Sequence, residues 1–268
     1  MIKLVVSDVD GTLVKDGTRD INPRYFEVIR ELKALGITFS SGSGRGNDSQ
    51  FKLFEPVLDD IYLIGNSGAT LCRGRELIYQ ETMPVEPLGR VIKRIRALED
   101  KCDIEASAVD HICVFPEASE VFLKYMESYG FEIRHVTDAS QLPSILHIGV
   151  YHDPEKHHPV SDFMHDYDDE LTTNIAGREW VDFMPKGISK GKTLKKLQEI
   201  LNISPEETMV FGDQDNDVSM MKAAKYSYAV GGAAEVAKAA AAYICPPREE
   251  DGVLQVLETL LRQKGEMD

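Results

Sequence analysis

Two aspartates that follow an apolar run near the N-terminus are the first residues with the type and spacing to do chemistry. Asp8 and Asp10 are two positions apart, and Ser7 separates them from the apolar run at residues 4–6. An extended backbone would place both carboxylates on one side, where they repel each other unless a proton or a cation separates them. A hard metal ion bound through oxygen would do so. The alternative is an ordinary polar turn, in which Asp and Gly are common.

A second acidic cluster follows a later strand-like segment. Residues 208–211 form a short apolar run, and the chain then continues as Gly-Asp-Gln-Asp-Asn-Asp. Asp213, Asn216 and Asp217 are the candidate site residues here. The alternating acids resemble a calcium-binding loop, but Val218 stands where that loop requires Gly. A calcium loop is therefore disfavoured, and a second acidic strand end remains.

Two further segments have the residues needed to hold an anion. Ser43 and Gly44 lie in a loop of small residues between a strand-like and a helix-like stretch, where backbone N–H groups and a hydroxyl face a ligand. Lys190 begins a predicted helix, where a positive charge is unfavourable unless an anion offsets it. The first loop misses the glycine spacing of a dinucleotide-binding site. The second misses the P-loop pattern, because Lys186 stands where that loop requires Gly.

Apolar strand-like segments precede these polar segments, and helix-like segments follow them. We predict core strands at 2–6, 37–39, 61–64, 208–211 and 228–230. Helices are predicted at 23–35, 220–224 and 252–262, together with one helix that begins at residue 190 and one that ends at residue 242. In a parallel sheet the carboxyl ends of the strands share one edge. The sequence therefore predicts an α/β fold with a Rossmann-like doubly wound parallel sheet. The single site at its edge would suit phosphoryl transfer to a carboxylate.

The segment from residue 83 to residue 185 differs in character. Helices are predicted at 85–98, 118–129 and near 159–167, and strands at 104–109, 111–115, 132–136, 145–151, 171–175 and 179–184. We interpret this segment as an inserted α+β domain, with hinges near Pro84 and Pro185. Residues 1–82 and 186–268 would then form the core.

The histidines of this insert do not make a convincing metal site. They are spread over strand, loop and helix without partners at fixed spacing, which favours surface or packing roles for His147, His152, His157, His158 and His165. Trp180 could stack on a sugar, although an aromatic residue on a strand is more often part of a core.

The composition excludes several classes of partner. A formal net charge of −15 and a pI near 4.9 argue against nucleic acid, while a few local cations can still bind a small phosphorylated molecule in a cleft. No apolar run of about 18 residues and no export signal is apparent, so a membrane partner is not expected. Four widely spaced cysteines favour free thiols and a cytoplasmic location.

The four polar segments resemble the motifs of the haloacid dehalogenase superfamily. The closer resemblance is to its Cof-type phosphatases, which carry a large type IIB cap inserted after the third strand. The matching motifs are Asp8-Val9-Asp10-Gly11-Thr12, Ser43-Gly44-Arg45, Lys190, and Gly212-Asp213 with Asn216 and Asp217. The resemblance implies a Mg2+-dependent phosphomonoester hydrolase for small phosphorylated metabolites, above all sugar phosphates.

The resemblance also implies a role for each motif residue. Asp8 would attack phosphorus to form an aspartyl-phosphate, and Asp10 would protonate the leaving alcohol and later deprotonate the hydrolytic water. The implied magnesium ligands are Asp8, the backbone carbonyl of Asp10, Asp213 and, through water, Asp217. The implied phosphate-binding groups are Ser43, the nearby amides including that of Gly44, Asn216 and Lys190.

Two loops depart from the family pattern. Ser67 follows Asn66 where Gly is commoner, and Gly232 stands where many members have Asn. These departures leave the substrate preference open, and they motivate a low-turnover phosphometabolite-binding regulatory protein as an alternative. A phosphosugar mutase, which keeps the same acids and cap type, is the other alternative. Whether the chain forms a homo-oligomer stays open at this stage.

Overall fold

A computed structural model describes residues 1–128, 131–176 and 179–265. In chain order the helices and strands are β1 (Leu4–Ser7), α1 (Arg24–Ala34), β2 (Thr38–Gly42), α2 (Asn47–Leu53), β3 (Tyr62–Gly65), β4 (Thr70–Arg73), β5 (Glu76–Gln80), α3 (Val85–Arg96), β6 (Asp103–Ser107), β7 (Ile112–Val114), α4 (Glu120–Ser128), β8 (Ile133–His135), β9 (His147–Tyr151), β10 (Leu171–Ala176), β11 (Trp180–Pro185), α5 (Lys190–Leu201), β12 (Thr208–Gly212), α6 (Val218–Met221), β13 (Tyr226–Val230), α7 (Glu235–Ala240), β14 (Tyr243–Cys245) and α8 (Gly252–Gly265). The chain divides into two compact units. The first is Met1–Arg45, Gln50–Tyr79 and Ser189–Asp268, and the second is Gly46–Ser49 and Gln80–Ile188.

The first unit contains a mixed sheet with the strand order β14-β13-β12-β1-β2-β3-β4-β5. The strands from β14 to β3 are parallel to their neighbours, whereas β4 runs antiparallel to β3. Strand β1 lies in the middle, and its residues Leu4, Val5 and Val6 are fully buried, as expected for a strand covered on both faces. The predicted α/β core with a parallel sheet is confirmed.

Helix α1 shows how local sequence defines a crossover in this sheet. The Asn22 side chain accepts a hydrogen bond from the N–H of Arg24, which satisfies one of the unpaired donors at the helix start. At the other end Gly36 adopts a positive φ of 72°, which ends the helix, and the N–H of Ile37 donates to the carbonyl of Leu32. The helix begins one residue later and ends one residue earlier than predicted. The chain then enters β2 at Thr38.

The second unit contains a sheet with the order β10-β11-β9-β6-β7-β8, in which β7 and β8 are parallel and the other paired neighbours antiparallel. Buried residues of α3 pack in the same hydrophobic cluster as Ile148 and Val150 of β9. This unit includes the predicted insert at 83–185, whose identity as a type IIB cap stays a prediction. No described helix combines the length and apolar character that a membrane span requires.

Some predicted elements differ from the observed ones. Strands β4, β5 and β14 were not predicted. The predicted helix near 159–167 is instead two short 3-10 turns, Pro159–Asp162 and Met164–Tyr167. The predicted helix 118–129 starts at Glu120, and its last residue, Tyr129, lies outside the described residues.

Candidate active site

The centre of the candidate site is a buried ion-pair cluster at the carboxyl end of β1. The N–H of Asp8 donates to the carbonyl of Phe211, which continues the pairing of β1 with β12. The Lys190 ammonium donates to Asp8 Oδ1 and to Asp217 Oδ1, each at 2.7 Å. Its side chain is only 1% exposed. Lys190 is 182 positions from Asp8 and 27 positions from Asp217 in the chain. The three residues therefore meet at one sheet edge, as the strand order requires.

The start of α5 explains how Lys190 enters this cluster. Ser189 is the N-cap residue, and its hydroxyl accepts a hydrogen bond from the N–H of Lys192 at 3.1 Å. Lys190 is thus the first residue of the helix. A cation at this end opposes the helix dipole, and the carboxylates of Asp8 and Asp217 offset that cost.

The turn after β12 positions the second pair of acids. Asp217 Oδ2 accepts hydrogen bonds from the N–H groups of Asp213 and Gln214, at 2.9 and 3.0 Å. Asp213 Oδ1 accepts one from the Thr12 hydroxyl at 2.9 Å. A β-carbon on Gly11, whose φ is +76°, would lie 2.3 Å from Asp213 Oδ2. The Gly11-Thr12 pair therefore leaves room for Asp213 and orients it.

The electrostatic balance of the cluster favours a further cation. Burial raises the pKa of Asp8 well above its ordinary value, and Asp217 and Asp213 add to this effect while Lys190 opposes it. Burial and then Asp217 also raise the pKa of Asp213. The pKa of Lys190 is raised although burial acts against this, because Asp217 and Asp8 stabilise its charge. One ammonium thus faces three carboxylates, which is costly without an additional positive charge.

The donor set suits a hard divalent ion. Carboxylate oxygens of Asp8, Asp213 and Asp217 lie within 4.8 Å of one another, and among the described residues they form the group that could hold a metal. Mg2+ prefers oxygen ligands and few protein carboxylates. Both oxygens of Asp217 already accept hydrogen bonds, from Lys190 and from two backbone amides. Asp8 and Asp213 are accordingly the better direct ligands, with Asp217 in a supporting position.

The side chain of Asp10 has its hydrogen-bond partners outside this cluster. Its carboxylate is paired with Arg45 through two hydrogen bonds, from Nε at 2.7 Å and from Nη2 at 2.6 Å. The N–H of Gly17 donates to the same carboxylate, and Arg45 Nη2 also donates to the carbonyl of Thr18. The two aspartates of the first motif are therefore in different environments. No role for Arg45 is predicted from the sequence, although its place next to Ser43-Gly44 was the available signal.

The predicted phosphate-binding residues lie around this edge with differing exposure. Ser43 is buried, and its hydroxyl accepts a hydrogen bond from the N–H of Arg45 at 3.1 Å. Gly44 and Asn216 are exposed. The side chain of Asn216 makes no hydrogen bond to another residue in the described ranges. The binding roles of Ser43, Gly44 and Asn216 stay predictions.

The histidines and the tryptophan of the second unit have protein partners. His157 contacts Asp162, His165 contacts Asp168, and His152 contacts Asp100. The Trp180 ring packs with the rings of Phe122, Tyr125 and Tyr151. These contacts agree with packing and surface roles for the residues concerned.

Comparison with known proteins places these features in a family context. A family model described as haloacid dehalogenase-like hydrolase matches residues 5–257. Among curated proteins, the chain is 23% identical to the 5-amino-6-(5-phospho-D-ribitylamino)uracil phosphatase YbjI of Escherichia coli K12, over 100% of this chain and 99% of that protein. It is 24% identical to the phosphatase YwpJ of Bacillus subtilis 168, over 97% and 100%.

Solved structures show the same similarity. A crystal structure of a Eubacterium rectale protein is 36% identical and matches with a TM-score of 0.88, covering 97% of this chain and 99% of that chain. The sugar phosphatase BT4131, described as a member of haloacid dehalogenase subclass IIB, is 25% identical with a TM-score of 0.79, over 96% and 98%. Each match extends over nearly the whole chain.

Proposed function

We propose that this chain, which belongs to the haloacid dehalogenase-like hydrolase family, is a Mg2+-dependent hydrolase of small phosphomonoesters. The observation that carries the proposal is the buried cluster in which Lys190 bridges Asp8 and Asp217 beside Asp213. A fixed carboxylate next to a buried ammonium and two further acids suits attack on a phosphoryl group.

In the first step, an Asp8 carboxylate oxygen forms a bond to phosphorus while the bond from phosphorus to the leaving alcohol breaks. Asp10 gives its proton to that alcohol. In the second step, water attacks the phosphorus of the aspartyl-phosphate and passes a proton to Asp10, which releases phosphate and regenerates Asp8. Lys190 fixes one oxygen of Asp8 throughout.

Magnesium would be held by Asp8 and Asp213, with Asp217 in support, and would neutralise charge on the phosphoryl oxygens. The net charge of the cluster supports a divalent ion, since one buried ammonium leaves part of the carboxylate charge uncompensated. The substrate class we propose is small phosphorylated metabolites, with sugar phosphates foremost. The support for that class is the similarity to BT4131, a sugar phosphatase, and to YbjI, whose named substrate carries a phosphorylated ribityl group.

The test is turnover of p-nitrophenyl phosphate and of a panel of sugar phosphates by the purified chain, with and without EDTA. We expect activity that EDTA abolishes and that excess Mg2+ restores. Asp8→Asn should lose at least about a thousandfold in kcat, because it removes the nucleophile. Asp215→Asn is the matched control: Asp215 is exposed in the same acidic turn, and this variant should stay within about twofold of the wild type. Activity that survives chelation or Asp8→Asn would overturn the mechanism.

A further inference from the structure

The loop that follows β3 has an unusual backbone. Asn66 and Ser67 have positive φ angles of 49° and 55°, and Gly68 follows with 105°. The left-handed region is unfavourable for residues with a β-carbon, and Asn tolerates it better than Ser does. Glycine would fit position 67 without strain. The surrounding structure must therefore hold Ser67 in place.

Contacts on two sides hold this loop. The N–H of Asn66 donates to the carbonyl of Arg45 at 2.9 Å, and the N–H of Ser67 donates to the carbonyl of Ser43 at 3.1 Å. These bonds tie the loop to the segment after β2.

On the other side, Gly68 packs against the start of α5. A β-carbon on Gly68 would lie 2.4 Å from the carbonyl oxygen of Ser189 and 2.8 Å from the nitrogen of Lys190. The hydroxyl of Thr193 donates to the carbonyl of Gly68 at 2.5 Å. Ser67 thus lies between the segment that carries Ser43 and the one that carries Lys190.

The side chain of Ser67 is not used by the protein itself. Its hydroxyl makes no hydrogen bond to any residue within the described ranges, and it is partly exposed. A β-carbon on Gly44 would lie 3.5 Å from Ser67 Oγ, so the hydroxyl lies next to the Ser43-Gly44 segment. A strained residue with an unpaired polar group at a functional edge is typical of a ligand contact.

We infer that Ser67 is a substrate-binding residue whose hydroxyl donates a hydrogen bond to a phosphoryl oxygen. This inference rests on the proposed function and assigns a phosphate contact to a position where the family resemblance leads one to expect glycine. A hydroxyl adds a donor that glycine lacks, and hydrogen bonds to charged oxygens are stronger than those to neutral ones.

Two substitutions separate the hydroxyl from the backbone strain. Ser67→Ala removes the hydroxyl and keeps the strain, whereas Ser67→Gly removes both. We expect each variant to weaken inhibition by inorganic phosphate by about tenfold, as the loss of one hydrogen bond to a charged group predicts. The kcat/KM for p-nitrophenyl phosphate and for a sugar phosphate should fall by similar factors, because the two substrates share only the phosphoryl group.

Asn202→Gly is the control for strain alone. Asn202 also has a positive φ, of 52°, at the end of α5. This variant and Ser67→Gly should both raise Tm, yet Asn202→Gly should leave phosphate affinity unchanged.

The outcomes distinguish the inference from the proposed function. A wild-type chain that neither binds phosphate nor turns over phosphomonoesters would overturn both. An active wild type with unchanged Ser67 variants would overturn the inference alone. It would likewise be overturned if only the sugar phosphate were affected, or if Ser67→Gly kept the phosphate affinity of the wild type, since a hydroxyl that binds phosphate cannot be lost without effect.

Discussion

At the scale of single residues, the structure gives the two aspartates of the first motif different partners. Asp8 is buried beside a lysine and two acids. Asp10 is about one third exposed and is paired with Arg45. A nucleophile benefits from fixed orientation, whereas an acid–base group must gain and lose a proton. The two environments match the two proposed roles, because the carboxylate of Asp10 is closer to water than the buried carboxylate of Asp8.

Arg45 should affect proton transfer more than phosphoryl binding. We expect Arg45→Ala to lower kcat for alkyl phosphates by roughly tenfold, because Asp10 loses the two hydrogen bonds that orient it. The loss with p-nitrophenyl phosphate should be smaller, since that leaving group needs little protonation. Arg45→Lys should resemble Arg45→Ala, because an ammonium cannot reproduce the guanidinium fork. The measurement is kcat against leaving-group pKa for each variant.

Arg30→Ala is the control for this series. Arg30 is an exposed arginine that donates to the carbonyl of Pro56, and its loss should leave the leaving-group dependence unchanged. Equal losses for good and poor leaving groups in Arg45→Ala would show that Arg45 acts on binding instead.

The residue types of the site were predictable, but their contacts were only partly so. Asp8, Lys190 and Asp213 each lie at a strand end or helix start, and parallel pairing brings such ends together whatever the side chains do. The pairing of Arg45 with Asp10 spans 35 residues and depends on the direction of one long side chain. Nothing in the spacing of the motifs encodes that direction. The spacing of the motifs does not predict the positive φ at Ser67 either.

At the scale of elements, the core strands that the apolar runs predict are interior strands of the first unit's sheet. β1 was predicted from a continuous apolar run, and it is fully buried. β5 and β14 were missed because they lie at the two edges of their sheet, where residues such as Leu77 and Ile244 remain exposed. Edge strands need no continuous apolar run. Likewise, the segment at 159–167 has helical spacing but folds as two short 3-10 turns, since periodicity alone does not fix the hydrogen-bond pattern.

The turn after β9 should make the second unit sensitive to acid. The Nε2 of His158 contacts the carbonyl of Val150 at 3.0 Å, and its Nδ1 accepts from the N–H of Val160 at 3.3 Å. The contact with Val160 requires the neutral ring, because a protonated Nδ1 cannot accept a hydrogen bond. Burial lowers the pKa of His158 below its ordinary value of 6.5, and the nearby His152 and His157 add to this effect.

The sign of the pH effect follows from this lowered pKa. Below about pH 6.5 the unfolded chain binds a proton at His158 more readily than the folded chain does. The contribution of His158 to folding stability is therefore complete above that pH and falls as the pH drops, by at most about 1.4 kcal/mol per pH unit. We expect His158→Gln to show a smaller fall in Tm between pH 7 and pH 5 than the wild type. His165→Gln, which alters an exposed histidine paired with Asp168, should not. Parallel Tm curves for the wild type and His158→Gln would contradict the argument.

At the scale of the whole molecule, the formal net charge of −15 affects every experiment with cations. Self-repulsion in such a chain is weakened by any salt, so stabilisation by magnesium has a nonspecific part. The cluster of Asp8, Asp213 and Asp217 would add a specific part, because a bound ion relieves repulsion that burial makes strong. The two parts can be separated, since only the second depends on one carboxylate.

Magnesium should therefore stabilise the wild type beyond sodium chloride of equal ionic strength. An ion that binds only the folded state adds about 2.7 kcal/mol at a hundred times its Kd, which corresponds to a rise in Tm of several degrees for a chain of this size. In Asp213→Asn we expect the magnesium-specific rise to disappear while the sodium chloride response remains, because a ligand is lost but the overall charge hardly changes. In Asp215→Asn, which removes the same charge from an exposed neighbour, both responses should remain. Because the measurement is Tm, it reports on the metal site without any turnover. A magnesium response that survives Asp213→Asn would place the ion elsewhere on the acidic surface.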